Sequence, residues 1–155
     1  MVDLERVLLS SDRLSGPDAG AVVRPRTGDS AAGQRPILVV DDDPEILAML
    51  RDFLEGEGLA VKTAANGAEA LDALQELAPA LILLDMRMPV LDGWGFAERF
   101  RELRLGYPIV VMTAAESARR WADEIGATGY IAKPFDVNEL LQTIERHRQR
   151  DSKPN

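Results

Sequence analysis

The sequence predicts an open, doubly wound α/β domain, (βα)5, built on a five-stranded parallel sheet. From residue 37 onward, short apolar runs typical of fully buried strands alternate with segments whose apolar residues recur at helical spacing. Short connections join each strand to the following helix. Such an alternation places parallel strands in one sheet with helices on both faces.

The elements can be assigned in chain order from their patterns and end signals. The predicted strands are residues 37–40, 59–63, 81–84, 109–112 and 130–132. Pro44 opens the first helix and Asn66 caps the second, which Pro79 closes. The third helix follows the cap at Asp92. The fourth covers about residues 117–125, and the fifth presents an apolar stripe of Val137, Leu140, Leu141 and Ile144.

Composition narrows the class of protein. Of 155 residues, 46% are hydrophobic and 28% charged, none is Cys, and no apolar run approaches the roughly 20 residues of a membrane span. We expect a cytoplasmic protein that does not bind membranes. The first 36 residues carry five acids and five arginines, so the net charge of −8 lies in the rest. An acidic body repels phosphate backbones and argues against nucleic-acid binding.

Three segments are predicted along the chain. Residues 1–35 are rich in Gly, Ser, Ala, Asp and Pro without a sustained period, which indicates a flexible N-terminal extension. Residues 36–149 form the domain. Residues 150–155 form a polar C-terminal tail, so no output domain is expected to follow.

Polar side chains follow four of the predicted strands. Asp41 and Asp42 follow the first strand, Asp85 the third, Thr113 the fourth and Lys133 the fifth. In an open α/β sheet the ligand site lies outside the carboxyl ends of the strands, where the strand order reverses. We therefore expect these side chains to converge.

The chemistry of this set indicates phosphoryl transfer. Two carboxylates about 4 Å apart repel by about 4 kcal/mol at an effective dielectric near 20, and a divalent cation removes that cost. Oxygen ligands favour Mg²⁺, or Mn²⁺ in its place. A lysine and a hydroxyl beside such an ion suit the oxygens of a transferred phosphoryl group. Asp85, nearest the centre, is the candidate nucleophile that becomes an aspartyl phosphate.

Four motifs in register carry a family resemblance. They are VVDDDP at residues 39–44, LLDMRMPVLDG at 83–93, VMTA at 111–114 and YIAKPF at 130–135. With them, residues 36–149 resemble the receiver domain of bacterial two-component response regulators, which has a flavodoxin-like fold. The resemblance implies a chemotaxis-regulator-like, single-domain protein.

The resemblance implies that Asp85 is the phosphoacceptor. Its donor would be a phosphohistidine on a sensor histidine kinase or on a histidine phosphotransfer protein. Asp42 would bind Mg²⁺ directly and Asp41 through water, with Asp85 and the main-chain carbonyl of Arg87 completing the protein ligands. The domain would be a phosphoprotein of a phosphorelay and not a turnover enzyme.

Further roles come from the same resemblance. Thr113 would hydrogen-bond the phosphoryl group and Lys133 would pair with it. Inward movement of Thr113 with rotation of Tyr130 would switch the face formed by the fourth helix, fifth strand and fifth helix, which contacts a downstream protein. Arg87 and Ala115 would tune the phosphoryl lifetime. The domain would be a monomer or a phosphorylation-dependent dimer.

The sequence leaves other functions open. The domain could pass its phosphoryl group on as a phosphorelay intermediate, or act as a constitutive scaffold. A phosphohydrolase of the haloacid dehalogenase type also uses a strand-end Asp, but Arg87 stands where that family places its second Asp.

Several side chains have structural interpretations. Asp43 and Asp92 are expected to cap helices. Trp94 and Trp121 are expected to pack in the core or on the surface. His147, in a charged run, is predicted to be a surface residue at the end of the last helix. For Arg87 two contacts stay open, with the acyl phosphate or with Glu116. The resemblance also implies a cis bond before Pro134.

Overall fold

The computed structural model describes residues 34–152, so residues 1–33 of the predicted extension and the last three of the predicted tail lie outside the described residues. The strands are β1 Ile37–Val40, β2 Val61–Ala64, β3 Leu81–Leu84, β4 Ile109–Ala114 and β5 Gly129–Lys133. The helices are α1 Pro44–Gly56, α2 Gly67–Ala73, α3 Gly93–Leu103, α4 Ala115–Ile125 and α5 Val137–Ser152. None of the described helices is long and apolar enough to cross a membrane.

The five strands form one parallel sheet in the order β2-β1-β3-β4-β5. The predicted doubly wound α/β fold is therefore confirmed. The chain first moves from β1 to β2 on one side and then crosses to β3 on the other, so the strand order reverses between β1 and β3. The carboxyl ends of these two central strands are adjacent.

Alternation along the strands divides the core into two layers. Leu38 and Val40 of β1 face one side with residues of α2, α3 and α4, among them Phe96. Ile37 and Val39 face the other side with residues of α1 and α5. All four β1 residues are fully buried, as expected for a central strand covered by helices on both faces.

Strand β2 begins two residues later than the sequence pattern indicates. Gly58 adopts a positive φ of 90°, and the N–H of Leu59 donates to the carbonyl of Leu54 at 3.0 Å. Leu59 therefore belongs to the turn that ends α1, although its apolar side chain resembles that of a strand residue. The pairing of β2 with β1 starts at Val61.

Helix boundaries also differ from the predicted ones. Helix α2 ends at Ala73, after which the N–H of Gln75 donates to Asp72 and that of Glu76 to Ala73, both at 3.0 Å. These i to i+3 bonds tighten the last turn. Helix α4 starts at Ala115 directly after β4, and α5 extends to Ser152.

The prediction that His147 lies on the surface is wrong. Its side chain is only 6% exposed. It lies on the stripe of α5 that carries Leu140 and Ile144, and its ring fills space beside Gly129 of β5. A Cβ added at Gly129 would lie 2.5 Å from His147 Nε2. The i, i+4, i+7 spacing from Leu140 was the available signal, and the surrounding charged residues obscured it.

We predict that Gly93→Ala destabilises the fold. A Cβ at Gly93 would lie 2.8 Å from the main-chain Cα of Met86, so backbone has to move. Overpacking of this kind costs about 1–3 kcal/mol. Urea unfolding followed by circular dichroism measures the change in the free energy of unfolding.

Gly56→Ala is the matched control. Gly56 also lies in a helix, its φ is not positive, and an added Cβ there meets no heavy atom within 4 Å. We expect this variant to be as stable as the wild type or slightly more stable. Equal stability of the two variants would contradict the predicted clash.

Candidate functional site

The ends of β1 and β3 fix the two central carboxylates. The N–H of Asp85 donates to the carbonyl of Val40 at 2.9 Å, and the N–H of Asp41 donates to Ala64 at 3.1 Å. The buried apolar strands β1 and β3, which precede these residues in the chain, hold their backbones in place. Asp41 is 1% exposed and Asp85 is 7% exposed, so both carboxylates lie largely out of water.

Lys133, at the end of β5, supplies the positive charge. Its Nζ lies 2.8 Å from Asp41 Oδ2 and 3.6 Å from Asp85 Oδ1. The other oxygen of Asp41 accepts a hydrogen bond from the N–H of Asp43 at 2.9 Å. A buried carboxylate is tolerated when it is paired and hydrogen-bonded, and Asp41 satisfies both conditions.

Asp41, Asp42 and Asp85 form the group that could hold a metal ion. One carboxylate oxygen from each lies within 4.8 Å of the others. The donors are all hard oxygens. A site with only a small number of protein carboxylates and one edge open to water suits Mg²⁺, because this ion retains several of its waters. Asp42 is exposed, which leaves that edge open. The donor set therefore fits Mg²⁺.

The electrostatics of the site act against ionisation of Asp85. Burial, and then the negative charge of Asp41, raise the pKa of Asp85 to about 6, although Lys133 opposes the change. Burial lowers the pKa of Lys133, but its contacts with Asp41 and Asp85 outweigh that effect and hold the pKa above its usual value. Lys133 is therefore a permanent cation, whereas Asp85 is sensitive to charge added nearby.

The remaining predicted residues lie around this cluster. Thr113 is 5% exposed and lies two residues beyond Val111, which pairs with Leu84 at the end of β3. Ala115 begins α4 and is exposed. Tyr130 of β5 is 46% exposed. The structure thus brings Asp41, Asp42, Asp85 and Lys133 together. Thr113, Ala115 and Tyr130 lie at the same edge of the sheet or on the surface next to it.

The two predicted helix caps and the implied cis peptide bond are confirmed. Asp43 accepts a hydrogen bond from the N–H of Glu45 at the start of α1, and Asp92 accepts one from Gly95 at the start of α3. The peptide bond between Lys133 and Pro134 is cis, as the resemblance implies.

The environment of Arg87 was not predicted. Its guanidinium carbon lies 5.0 Å from the centre of the Trp121 ring, a cation–π contact that the sequence does not predict, and contact with an acyl phosphate stays a prediction. Trp121 is on α4, far from Arg87 in the chain. Periodicity indicates that Trp121 faces the core, but no local pattern reveals which side chain covers its ring.

Comparison with known proteins agrees with this geometry. Residues 37–145 match the family model described as the response regulator receiver domain. The chain is 39% identical over 127 residues to the DNA-binding transcriptional regulator NtrC of Escherichia coli K12, covering 78% of this chain and 27% of NtrC. It is 39% identical over 119 residues to the transcriptional regulatory protein PrrA of Mycobacterium tuberculosis, covering 76% of this chain and 51% of PrrA. The chain thus spans only part of these relatives.

Solved structures show the same architecture. The chemotaxis response regulator CheY4 of Vibrio cholerae has a TM-score of 0.67 and 33% identity, over 74% of this chain and 98% of that one. The response regulator TrrA of Thermotoga maritima, solved in complex with Mg²⁺ and BeF, has a TM-score of 0.67 and 32% identity, over 74% and 99%. This chain belongs to the response regulator receiver domain family.

Proposed function

We propose that this receiver domain accepts a phosphoryl group on Asp85, in a Mg²⁺-dependent transfer from a phosphohistidine of a sensor histidine kinase or histidine phosphotransfer protein. The observation that carries the proposal is the position of Lys133, whose Nζ contacts Asp41 at 2.8 Å and Asp85 at 3.6 Å. A cation already near the acceptor oxygen can pair with an incoming phosphoryl group.

In the proposed step, a carboxylate oxygen of Asp85 attacks the phosphorus atom. The new O–P bond forms as the P–N bond of the phosphohistidine breaks, and the imidazole nitrogen leaves with the electron pair. Lys133 and the buried hydroxyl of Thr113 would stabilise the phosphoryl oxygens. Little covalent work is needed from the protein, so positioning and charge account for most of the catalysis.

The proposed metal ligands are the carboxylates of Asp42 and Asp85, the main-chain carbonyl of Arg87, and Asp41 through water. The close approach of three carboxylate oxygens and the exposure of Asp42 support this assignment. When bound, Mg²⁺ would neutralise the phosphoryl oxygens and the acids around them. The positive charge would also favour the ionised, nucleophilic form of Asp85.

The proposed output is a change in the surface formed by α4, β5 and α5, which would bind a downstream protein. Thr113 lies close to the start of α4, so a phosphoryl group that draws in its hydroxyl would pull on the β4–α4 junction. Tyr130 and Val137 expose 46% and 38% of their surface on β5 and α5. Such exposed apolar and aromatic groups suit a protein partner.

We predict that acetyl phosphate adds one phosphoryl group to the wild-type protein in the presence of Mg²⁺. Intact-protein mass spectrometry should detect the gain, and the gain should be absent with EDTA and in Asp85→Asn. The amide of Asn lacks the charged nucleophilic oxygen.

Asp92→Asn is the matched control, because Asp92 is a helix cap outside the cluster and Asn caps about as well. This variant should gain the same mass as the wild type. A gain in Asp85→Asn equal to that of the wild type would show that the acceptor is another residue.

We also predict that Asp85→Asn stabilises the metal-free fold at pH 7.5. The pKa of Asp85 rises from 3.8 to about 6 on folding, so the folded state holds the proton more tightly. The stability contributed by this carboxyl is complete below about pH 4 and is lost as the pH rises through 6. Removing the ionisable group should therefore gain on the order of 2–3 kcal/mol at pH 7.5 and little at pH 4.

Urea unfolding in EDTA at the two pH values measures this difference. The same gain at pH 4 and pH 7.5 would mean that ionisation of Asp85 is not its source. Added Mg²⁺ should reduce the difference at pH 7.5, because binding to the folded state stabilises the wild type more than the variant.

A further inference from the structure

Arg87, in the β3–α3 loop of residues 85–92, contacts Trp121 of α4. The Arg87 guanidinium carbon lies 5.0 Å from the Trp121 ring centre, within the range of a cation–π interaction. Arg87 is exposed, whereas Trp121 is only 7% exposed. The cation therefore has open space beside it, whereas the ring on which it rests is largely enclosed.

Neighbouring side chains fix the ring. Trp94 of α3 packs against Trp121 with ring centres 4.9 Å apart and planes at 70°. The Nε1–H of Trp94 donates to Glu124 of α4 at 2.9 Å. These contacts tie α3 to α4, so one face of Trp121 is kept ready for the guanidinium.

The Arg87 side chain is long enough to reach the acceptor proposed at Asp85. Arg87 is two residues after Asp85, so their Cα atoms are at most about 7 Å apart, and the arginine side chain is of similar length. The cluster of Asp41, Asp42 and Asp85 has Lys133 as its cation. A phosphoryl group adds further negative charge and oxygens that match the planar guanidinium fork.

We propose that Trp121 is a positioning residue that holds the Arg87 guanidinium away from the acceptor site in the unmodified domain. The phosphoryl group then competes with the indole ring for this cation. The inference rests on the proposed function, because it requires a phosphoryl group on Asp85. The inference assigns to Trp121 of α4 an influence on the stability of the phosphorylated state.

If the indole ring and the phosphoryl group compete for Arg87, removing the ring should raise the affinity for a phosphoryl mimic. Removing the aromatic face frees Arg87 to pair with the phosphoryl group at no cost. In the presence of Mg²⁺, Trp121→Leu should therefore bind beryllofluoride, a phosphoryl mimic, about two- to fivefold more tightly than the wild type. This factor corresponds to the 0.5–1 kcal/mol of an exposed cation–π contact.

Calorimetric titration with beryllofluoride tests the proposal without relying on tryptophan signals. Trp121→Phe keeps an aromatic face and should bind within about twofold of the wild type. In an Arg87→Met background, Trp121→Leu should cause no further change, since the competing cation is gone. Equal tightening by Trp121→Leu with and without Arg87 would overturn the proposal and assign Trp121 a structural role only.

A fluorescence measurement covers the case in which Trp121→Leu does not fold. Arg87 is exposed, so Arg87→Met is expected to leave the fold and the Trp94–Trp121 contact intact. Beryllofluoride should change the tryptophan emission of the wild type as the cation leaves the ring. Arg87→Met should begin with the changed emission and respond little further. A full wild-type response in Arg87→Met would overturn the proposal.

The outcomes separate the two proposals. Absence of beryllofluoride binding by the wild type would contradict the proposed function itself. Binding by the wild type, with the same affinity in Trp121→Leu and a full fluorescence response in Arg87→Met, would leave the proposed function standing and reject only the role of Trp121.

Discussion

The repulsion among three carboxylates is the constraint on which the rest of the site depends. The fully buried strands β1 and β3 leave Asp41 and Asp85 little freedom to move apart, because their backbones are anchored in the sheet. Lys133 relieves part of this repulsion by contacting both. Burial, and then this remaining negative charge, raise the pKa of Asp85 above its usual value, and the donor set of the cluster fits a cation.

The two sides of the site differ in exposure, and that difference suits the acceptor role proposed for Asp85. Asp42 opens the cluster to water, whereas Asp41 is closed off by Lys133 and the N–H of Asp43. A hydrated ion can therefore enter on one side without disturbing the ion pair on the other. Asp85 has a carboxylate oxygen within 4.8 Å of both of these acids and is itself 7% exposed.

The sequence predicted the fold and the strand-end cluster because both depend on local patterns. Apolar runs mark buried strands, and parallel strands bring their next residues to one edge, as for Asp41 and Asp85. Side-chain contacts across the fold have no such local signal. The pairing of Arg87 with Trp121 depends on how α4 lies against the loop that joins β3 to α3. The burial of His147 depends on the space left by a glycine in another element.

The ion pair between Lys133 and Asp41 joins residues separated by 92 positions, near opposite ends of the described domain. The acids follow strands β1 and β3, which come early in the sequence. Their cation belongs to β5, the last strand in the sequence, which lies at the edge of the sheet. A chain truncated before β5, or one in which β5 has detached, therefore has the three acids without the charge that compensates them. Docking of the edge strand is thus coupled electrostatically to the centre of the sheet, and the ion pair can form only when β5 has joined the sheet.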